Sequence, residues 1–162
     1  MSAEHVHCLI IGSGPAGYTA AIYAARAGLN PVLYQGMEPG GQLMLTTDVE
    51  NYPGYPEKVK GPDMMNDFME QAKRMGADIR MGLATKAEFK KSGGPHKVVI
   101  DEKTEILADA VIISTGASAK WLGLPAEKRL AGGGVSACAV CDGFFYKNQE
   151  VEYIITGSNK GL

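Results

Sequence analysis

Two groups of residues in this 162-residue chain have the types and spacing to do chemistry. The first is Cys138-Ala139-Val140-Cys141, a C-x-x-C. Its spacing lets the two sulfurs close a small-ring disulfide. In such motifs one thiol has a lowered pKa, so that its thiolate can attack another disulfide. Redox exchange is the favoured reading, with zinc binding and inert cysteines as the alternatives. A structural zinc site wants four ligands, usually two such pairs or one pair with histidines. The chain has no second C-x-x-C and no H-x-x-x-H. Asp142 follows the pair directly. It can shuttle a proton to or from a leaving thiolate, or it can cap a helix or turn. The second group is Gly12-Ser13-Gly14-Pro15-Ala16-Gly17, a G-x-G-x-x-G. In that pattern the first glycine permits a tight turn. The second lets a pyrophosphate approach the backbone, and the third lets helix and strand pack closely.

The elements around the glycines are the ones this chemistry requires. Val6 to Ile11 is an apolar run that reads as a buried parallel strand. Pro15 to Ala27 reads as a helix with a small-residue face of Ala20, Ala21, Ala24 and Ala25, stopped by Gly28. Pro31 to Tyr34 reads as the next strand, completing a βαβ unit. The helix N-terminus then offers free N–H groups and partial positive charge to phosphates. The ribose-binding acid of the pattern belongs near the end of the second strand. Glu38 stands slightly late for it and serves equally well as a solvated loop charge. This loop alone does not separate NAD from FAD.

Further along, 36–62 reads as a long polar connection of a kind that is often functional. Asp63 to Met75 reads as a helix with Met64, Phe68, Ala72 and Met75 on one face. Asp78–Met81, Thr85–Phe89, Lys97–Ile100 and Glu105–Leu107 read as short antiparallel strands, with a turn at Ser92-Gly93-Gly94-Pro95. Ala110–Ile113 is a second continuous apolar run, ending in Ser114-Thr115-Gly116-Ala117. Ala131–Val135 is a glycine-rich connector that suits a domain boundary. Val151–Ile155 reads as one more strand, followed by Thr156-Gly157-Ser158-Asn159-Lys160-Gly161.

Composition sets the bounds. The chain is 45% hydrophobic and 21% charged, which is globular. A net charge of −2 points to neither nucleic acid nor an anionic membrane surface. No apolar run approaches the roughly 20 residues of a spanning helix, and the first residues lack the pattern of a secretory signal. The expectation is a cytoplasmic protein. Three cysteines, Cys8, Cys138 and Cys141, are too few for a disulfide scaffold. Cys8 lies in the first strand, where it acts as a small hydrophobe.

Several segments together resemble the low-molecular-weight thioredoxin reductases of bacteria, flavin-dependent pyridine nucleotide-disulfide oxidoreductases. They are Gly12 to Ala21, Gly40-Gly41-Gln42-Leu43, Glu50-Asn51-Tyr52-Pro53-Gly54, Thr115-Gly116-Ala117-Ser118-Ala119 and Val135 to Phe145. The resemblance runs in order from about Val6 to Val151, and the cysteine segment is its most specific part. Related flavin disulfide reductases outside this group place their cysteines early, near the first glycine loop. The resemblance implies an α/β fold: a Rossmann-like FAD-binding domain, with a parallel sheet, a βαβ unit and a small antiparallel meander, followed by the start of a second nucleotide-binding domain. It implies that 1–117 is the N-terminal part of the FAD-binding domain. Residues 118–162 would then hold the linker, the redox segment and the first strand of an NADPH-binding domain.

By the same resemblance FAD lies on Gly12, Ser13, Gly14, Pro15, Ala16 and Gly17, with Gly41, Gln42 and Asn51 lining the rest of its site. Thr115, Gly116 and Ala117 stand at the second strand end, and Glu38 is the candidate ribose ligand. Electrons pass from NADPH to FAD, then to the Cys138–Cys141 disulfide, then to thioredoxin. Cys141 faces the flavin, Cys138 attacks the thioredoxin disulfide and Asp142 donates the proton. The resemblance further implies a homodimer. The family is about twice this length, so a catalytically inactive FAD-binding fragment is the alternative, as is a different nicotinamide-dependent oxidoreductase. The tail departs from the family's Gly-x-Gly-x-x-Ala loop. A parallel sheet that lacks strands exposes edges and apolar surface, so the chain alone is expected to be poorly stable or to self-associate.

Overall fold

The structure is a computed structural model and describes residues 3–91, 93–131, 133–152 and 154. It divides into two compact units, one ending at Gly116 and one beginning at Ala117.

The first unit is built on a six-stranded sheet in the order β5-β2-β1-β8-β7-β6. The strands are β1 Glu4–Ile11, β2 Val32–Tyr34, β5 Asp78–Arg80, β6 Ala84–Glu88, β7 His96–Ile100 and β8 Thr104–Ile113. Two short strands, β3 Asp48–Val49 and β4 Val59–Lys60, pair with each other in a separate ribbon. Helices α1 Pro15–Arg26 and α2 Gly61–Arg74 complete the unit.

The alanine face of α1 lets the helix sit close on the sheet, with Ala21 and Ala24 buried. Tyr18, Met64, Met65, Phe68 and Ala72 join Cys8, Ile10 and Leu33 in the core on that side. The opposite face holds a second core of Val6, Leu9, Val32, Tyr34, Val98, Ile100, Ile106 and Ala108. Strand β1 is therefore apolar towards both sides at its centre, as a strand inside a parallel sheet must be.

Two sequence expectations are corrected. The segment at Asp78 is not antiparallel: β5 runs parallel to β2, with Val32 beside Asp78 and Tyr34 beside Arg80. Helix α2 stands between β2 and β5 in the chain, and strand–helix–strand connections give parallel neighbours. Glu105–Leu107 and Ala110–Ile113 are not two strands but one, β8. Its first half pairs antiparallel with β7, and from Ile106 to Ile113 it also runs parallel to β1. Asp109 breaks the apolar pattern because its side chain is outside the core. There His5 Nε2 and His7 Nδ1 meet its carboxylate at 2.8 and 2.7 Å.

An ion-pair cluster fastens the β5 edge. Arg80 forks onto both oxygens of Glu4 at 2.7 and 2.9 Å, reaches Asp78 at 2.6 Å and lies over the Tyr34 ring.

The second unit contains the short helices α3 Pro125–Leu130 and α4 Ala139–Asp142. The Glu127 carboxylate accepts the backbone N–H groups of Leu122, Gly123 and Leu124, which fixes the start of α3. Ala131 and Val135 bridge to each other inside this unit, so the glycine-rich connector lies within it. Val151, Glu152 and Ile154 are exposed and without regular structure. The rest of the strand expected at 151–155, and the 156–161 turn, lie outside the described residues, as do Ser92 and Gly132.

Candidate functional site

The glycine turn sits between the C-terminal end of β1 and the start of α1, and each glycine has a separate steric reason. Gly12 adopts φ +102°, and a Cβ there would lie 2.4 Å from the Ser114 carbonyl oxygen. A Cβ on Gly17 would lie 1.9 Å from the Gly12 carbonyl oxygen. These two positions pack backbone on backbone. Gly14 is different, because nothing lies within 4 Å of a Cβ placed there. Its open side is the space a phosphate needs, and it lies at the helix start, where the amides of Ala16 and Gly17 precede the first intrahelical bond, Tyr18 N–H to Gly14 O at 3.1 Å. No side chain caps this helix end. The residues present therefore fit the pyrophosphate of a dinucleotide.

Two neighbouring segments close on the turn. Gly40 and Gly41, at positive φ, open a 3₁₀ turn over Gly41–Leu45. A Cβ on Gly41 would stand 3.3 Å from Gly14 Cα, so this turn passes directly over the loop. Ser13 ties the two together. Its buried hydroxyl donates to Gln35 O at 3.2 Å and accepts the Gly40 N–H at 3.1 Å. Ser13 thus offers a ligand its backbone rather than its side chain. On the other side, β8 delivers Ser114 and Thr115 against Gly12.

In the second unit Cys138 and Cys141 form a disulfide with Cα atoms 5.3 Å apart. Helix α4 makes that separation: Cys138 is its N-cap residue and Cys141 lies on its first turn. The Cys141 N–H donates to Cys138 Sγ at 3.2 Å. Ser136 Oγ accepts the Cys138 N–H at 3.0 Å and holds the entry to the turn. Phe144 and Phe145 follow and are exposed. Cys8 is the free cysteine, and burial pushes its thiol pKa up, away from the thiolate that exchange needs. Among the described residues no cluster of side chains is arranged to hold a metal ion.

A family model for pyridine nucleotide-disulphide oxidoreductase matches residues 6–160, across both the glycine turn and the disulfide. The chain belongs to that family. It is 56% identical over 143 residues to a thioredoxin reductase of Rickettsia bellii, covering 88% of this chain and 46% of the relative. It is 51% identical over 161 residues to one of Vibrio cholerae, covering 99% of this chain and 49% of the relative. Among solved structures, thioredoxin reductase from Streptococcus pyogenes superposes with a TM-score of 0.79 at 41% identity, over 90% of this chain and 46% of that one. The enzyme from Giardia duodenalis gives 0.76 at 44% identity, over 86% and 44%. The chain spans about half the length of the relatives it matches.

Set against these oxidoreductases, the sequence-predicted residues fall into three sets. Gly12, Ser13, Gly14, Pro15, Ala16, Gly17, Gly41 and Thr115 converge on the turn. Gly116 follows Thr115 at φ +73°. Gln42 and Asn51 are exposed, as is Ala117, the first residue of the second unit. Glu38 is also exposed, and it is its carbonyl that meets the neighbouring turn, accepting the Gly41 N–H at 3.0 Å. Cys138, Cys141 and Asp142 share α4. Sequence reasoning missed Ser114 and Gln35. Gln35 is the hub between Ser13 and the Tyr18 hydroxyl, which it reaches at 2.9 Å. A polar residue just past each strand end was the signal available for both.

Proposed function

We propose that this chain carries the FAD-binding turn and the redox-active disulfide of a thioredoxin-disulfide reductase that uses NADPH. The observation that carries the reading is the pairing, in one chain of this family, of an open glycine turn with a formed C-x-x-C disulfide. Gly12 to Gly17 would hold the pyrophosphate, with Gly41, Gln42 and Asn51 on one side, Thr115, Gly116 and Ala117 on the other, and Glu38 as the candidate ribose ligand. When bound, FAD supplies the two-electron link between NADPH and the disulfide. Thioredoxin as substrate, a homodimer and a cytoplasmic location follow from the same resemblance.

The residues of α4 support a division of labour once the disulfide is reduced. The Cys141 N–H points at Cys138 Sγ and is placed to donate to a thiolate formed on that sulfur. Cys138 thiolate then attacks the substrate disulfide, forming a Cys138–substrate disulfide and releasing one substrate thiolate. Cys141 thiolate attacks Cys138 Sγ, restores the intramolecular disulfide and releases the second. Two electrons leave the pair, and two protons go to the departing sulfurs. Asp142, adjacent on α4, is the candidate donor.

The test uses thioredoxin whose attacking cysteine is activated as a mixed disulfide with thionitrobenzoate. The Cys141→Ser chain should form a covalent adduct faster than the Cys138→Ser chain. Equal rates, or the reverse order, would overturn the assignment of Cys138 as the attacking thiol.

A further inference from the structure

We propose that Ser114 is a positioning residue for the phosphate-binding turn, an inference that rests on the FAD reading above. Its hydroxyl lies between the last carbonyl of β1 and the first of the turn, 2.9 Å from Ile11 O and 3.1 Å from Gly12 O. Its backbone N–H donates to the same Ile11 carbonyl at 2.8 Å. Its carbonyl backs onto Gly12, and its Oγ is 3.0 Å from where a Gly17 Cβ would stand. Ser114 therefore touches the first and last glycines of the motif at once, while nothing lies within 4 Å of a Cβ placed on Gly14.

The consequence is orientation rather than contact with ligand. Gly12 sits at φ +102°, a region without a Cβ to restrain it. Its carbonyl faces Gly17 and, through Ser114 Oγ, is held in that direction. The direction of this peptide sets where the Ser13 and Gly14 backbone begins and how Gly17 seats the first turn of α1. Without the hydroxyl, the Gly12 carbonyl loses its share of the one proton that Ser114 divides between Ile11 O and Gly12 O, and the amides at the start of α1 are less well aimed at a phosphate. Preorganised donors bind more tightly than donors that must be ordered on binding.

The experiment compares the full chain with Ser114→Ala and Ser114→Thr, using ADP and FAD as probes. Loss of one hydrogen bond that orders the site predicts about five- to ten-fold weaker binding for Ser114→Ala, with most of it recovered by Ser114→Thr. Amide exchange in the ligand-free chain should speed up at Ala16, Gly17 and Tyr18 and stay unchanged in α2. Unchanged affinity in Ser114→Ala would overturn the proposal. So would exchange that accelerates equally in α2, which marks a general packing defect. If the unaltered chain binds neither probe, the FAD reading fails. The exchange pattern then decides separately whether Ser114 orders the turn.

Discussion

Gly17→Ala and Gly14→Ala should separate fold from ligand binding within one six-residue turn. At Gly17 two effects oppose each other. Alanine inside a helix is favoured over glycine by roughly 0.5–1 kcal/mol. Against that, the added Cβ would lie 1.9 Å from Gly12 O and 2.9 Å from Gly12 C, where real contacts stay beyond 3.0 Å. The obstructing atoms are backbone and cannot rotate away, so the helix start must move. Overpacking costs about 1–3 kcal/mol, and a 1.9 Å clash with backbone stands at the upper end of that range, so the clash wins and a net loss of about 2–2.5 kcal/mol is expected. At Gly14 the backbone is φ −69°, ψ −174°, which alanine adopts freely, and the Cβ meets nothing. Stability should change by less than about 1 kcal/mol, since a poorer N-cap offsets a stiffer unfolded chain. On the proposed FAD reading the added Cβ occupies the phosphate space, so ADP and FAD binding should fall by at least about tenfold. Urea unfolding followed by circular dichroism reads the first quantity, and fluorescence titration the second. A Gly17→Ala chain as stable as the parent, or a Gly14→Ala chain that keeps full affinity, would refute the steric reasoning.

Three further outcomes follow. With the disulfide formed, a thiol reagent should find no reactive cysteine in the native chain. It should find one, Cys8, after denaturation, and three after denaturation with reduction. Arg80→Ala removes the fork onto Glu4 and Asp78 and should cost about 1 kcal/mol in urea unfolding, because the network is largely exposed. Hydrogen bonds from His7 and then His5 hold the Asp109 carboxyl below its ordinary value of 3.8. Its contribution to stability is therefore complete above about pH 4 and lost as the pH falls through the lowered value. Asp109→Asn should flatten that part of the acid-unfolding curve, and an unchanged curve would contradict it.

The βαβ start was legible because glycines, an apolar strand and an alanine helix face all specify the same turn locally. The direction of β5 was not. Three residues such as Asp78-Ile79-Arg80 alternate identically in parallel and antiparallel pairs, and only the position of α2 between β2 and β5 decides. Strand β8 was split in the reading because Asp109 interrupts its apolar run, and the two histidines that receive it lie about a hundred residues away. At the site, the spacing of Gly12 and Gly17 carries the signal for the close backbone contacts found at both, and the space beside Gly14 is open. The inward turn of Ser13, the roof formed by Gly40 and Gly41, and the clip of Ser114 depend on contacts between distant segments that no local pattern encodes.

The measurement that tests the central claim most directly is the visible absorption spectrum of the purified chain, taken with added FAD after gel filtration and again after adding a dithiol. The account predicts that flavin co-elutes with the chain and that dithiol produces a long-wavelength band from a cysteine thiolate beside the flavin. A chain that elutes colourless and stays so would contradict the assignment of a flavin site to the glycine turn.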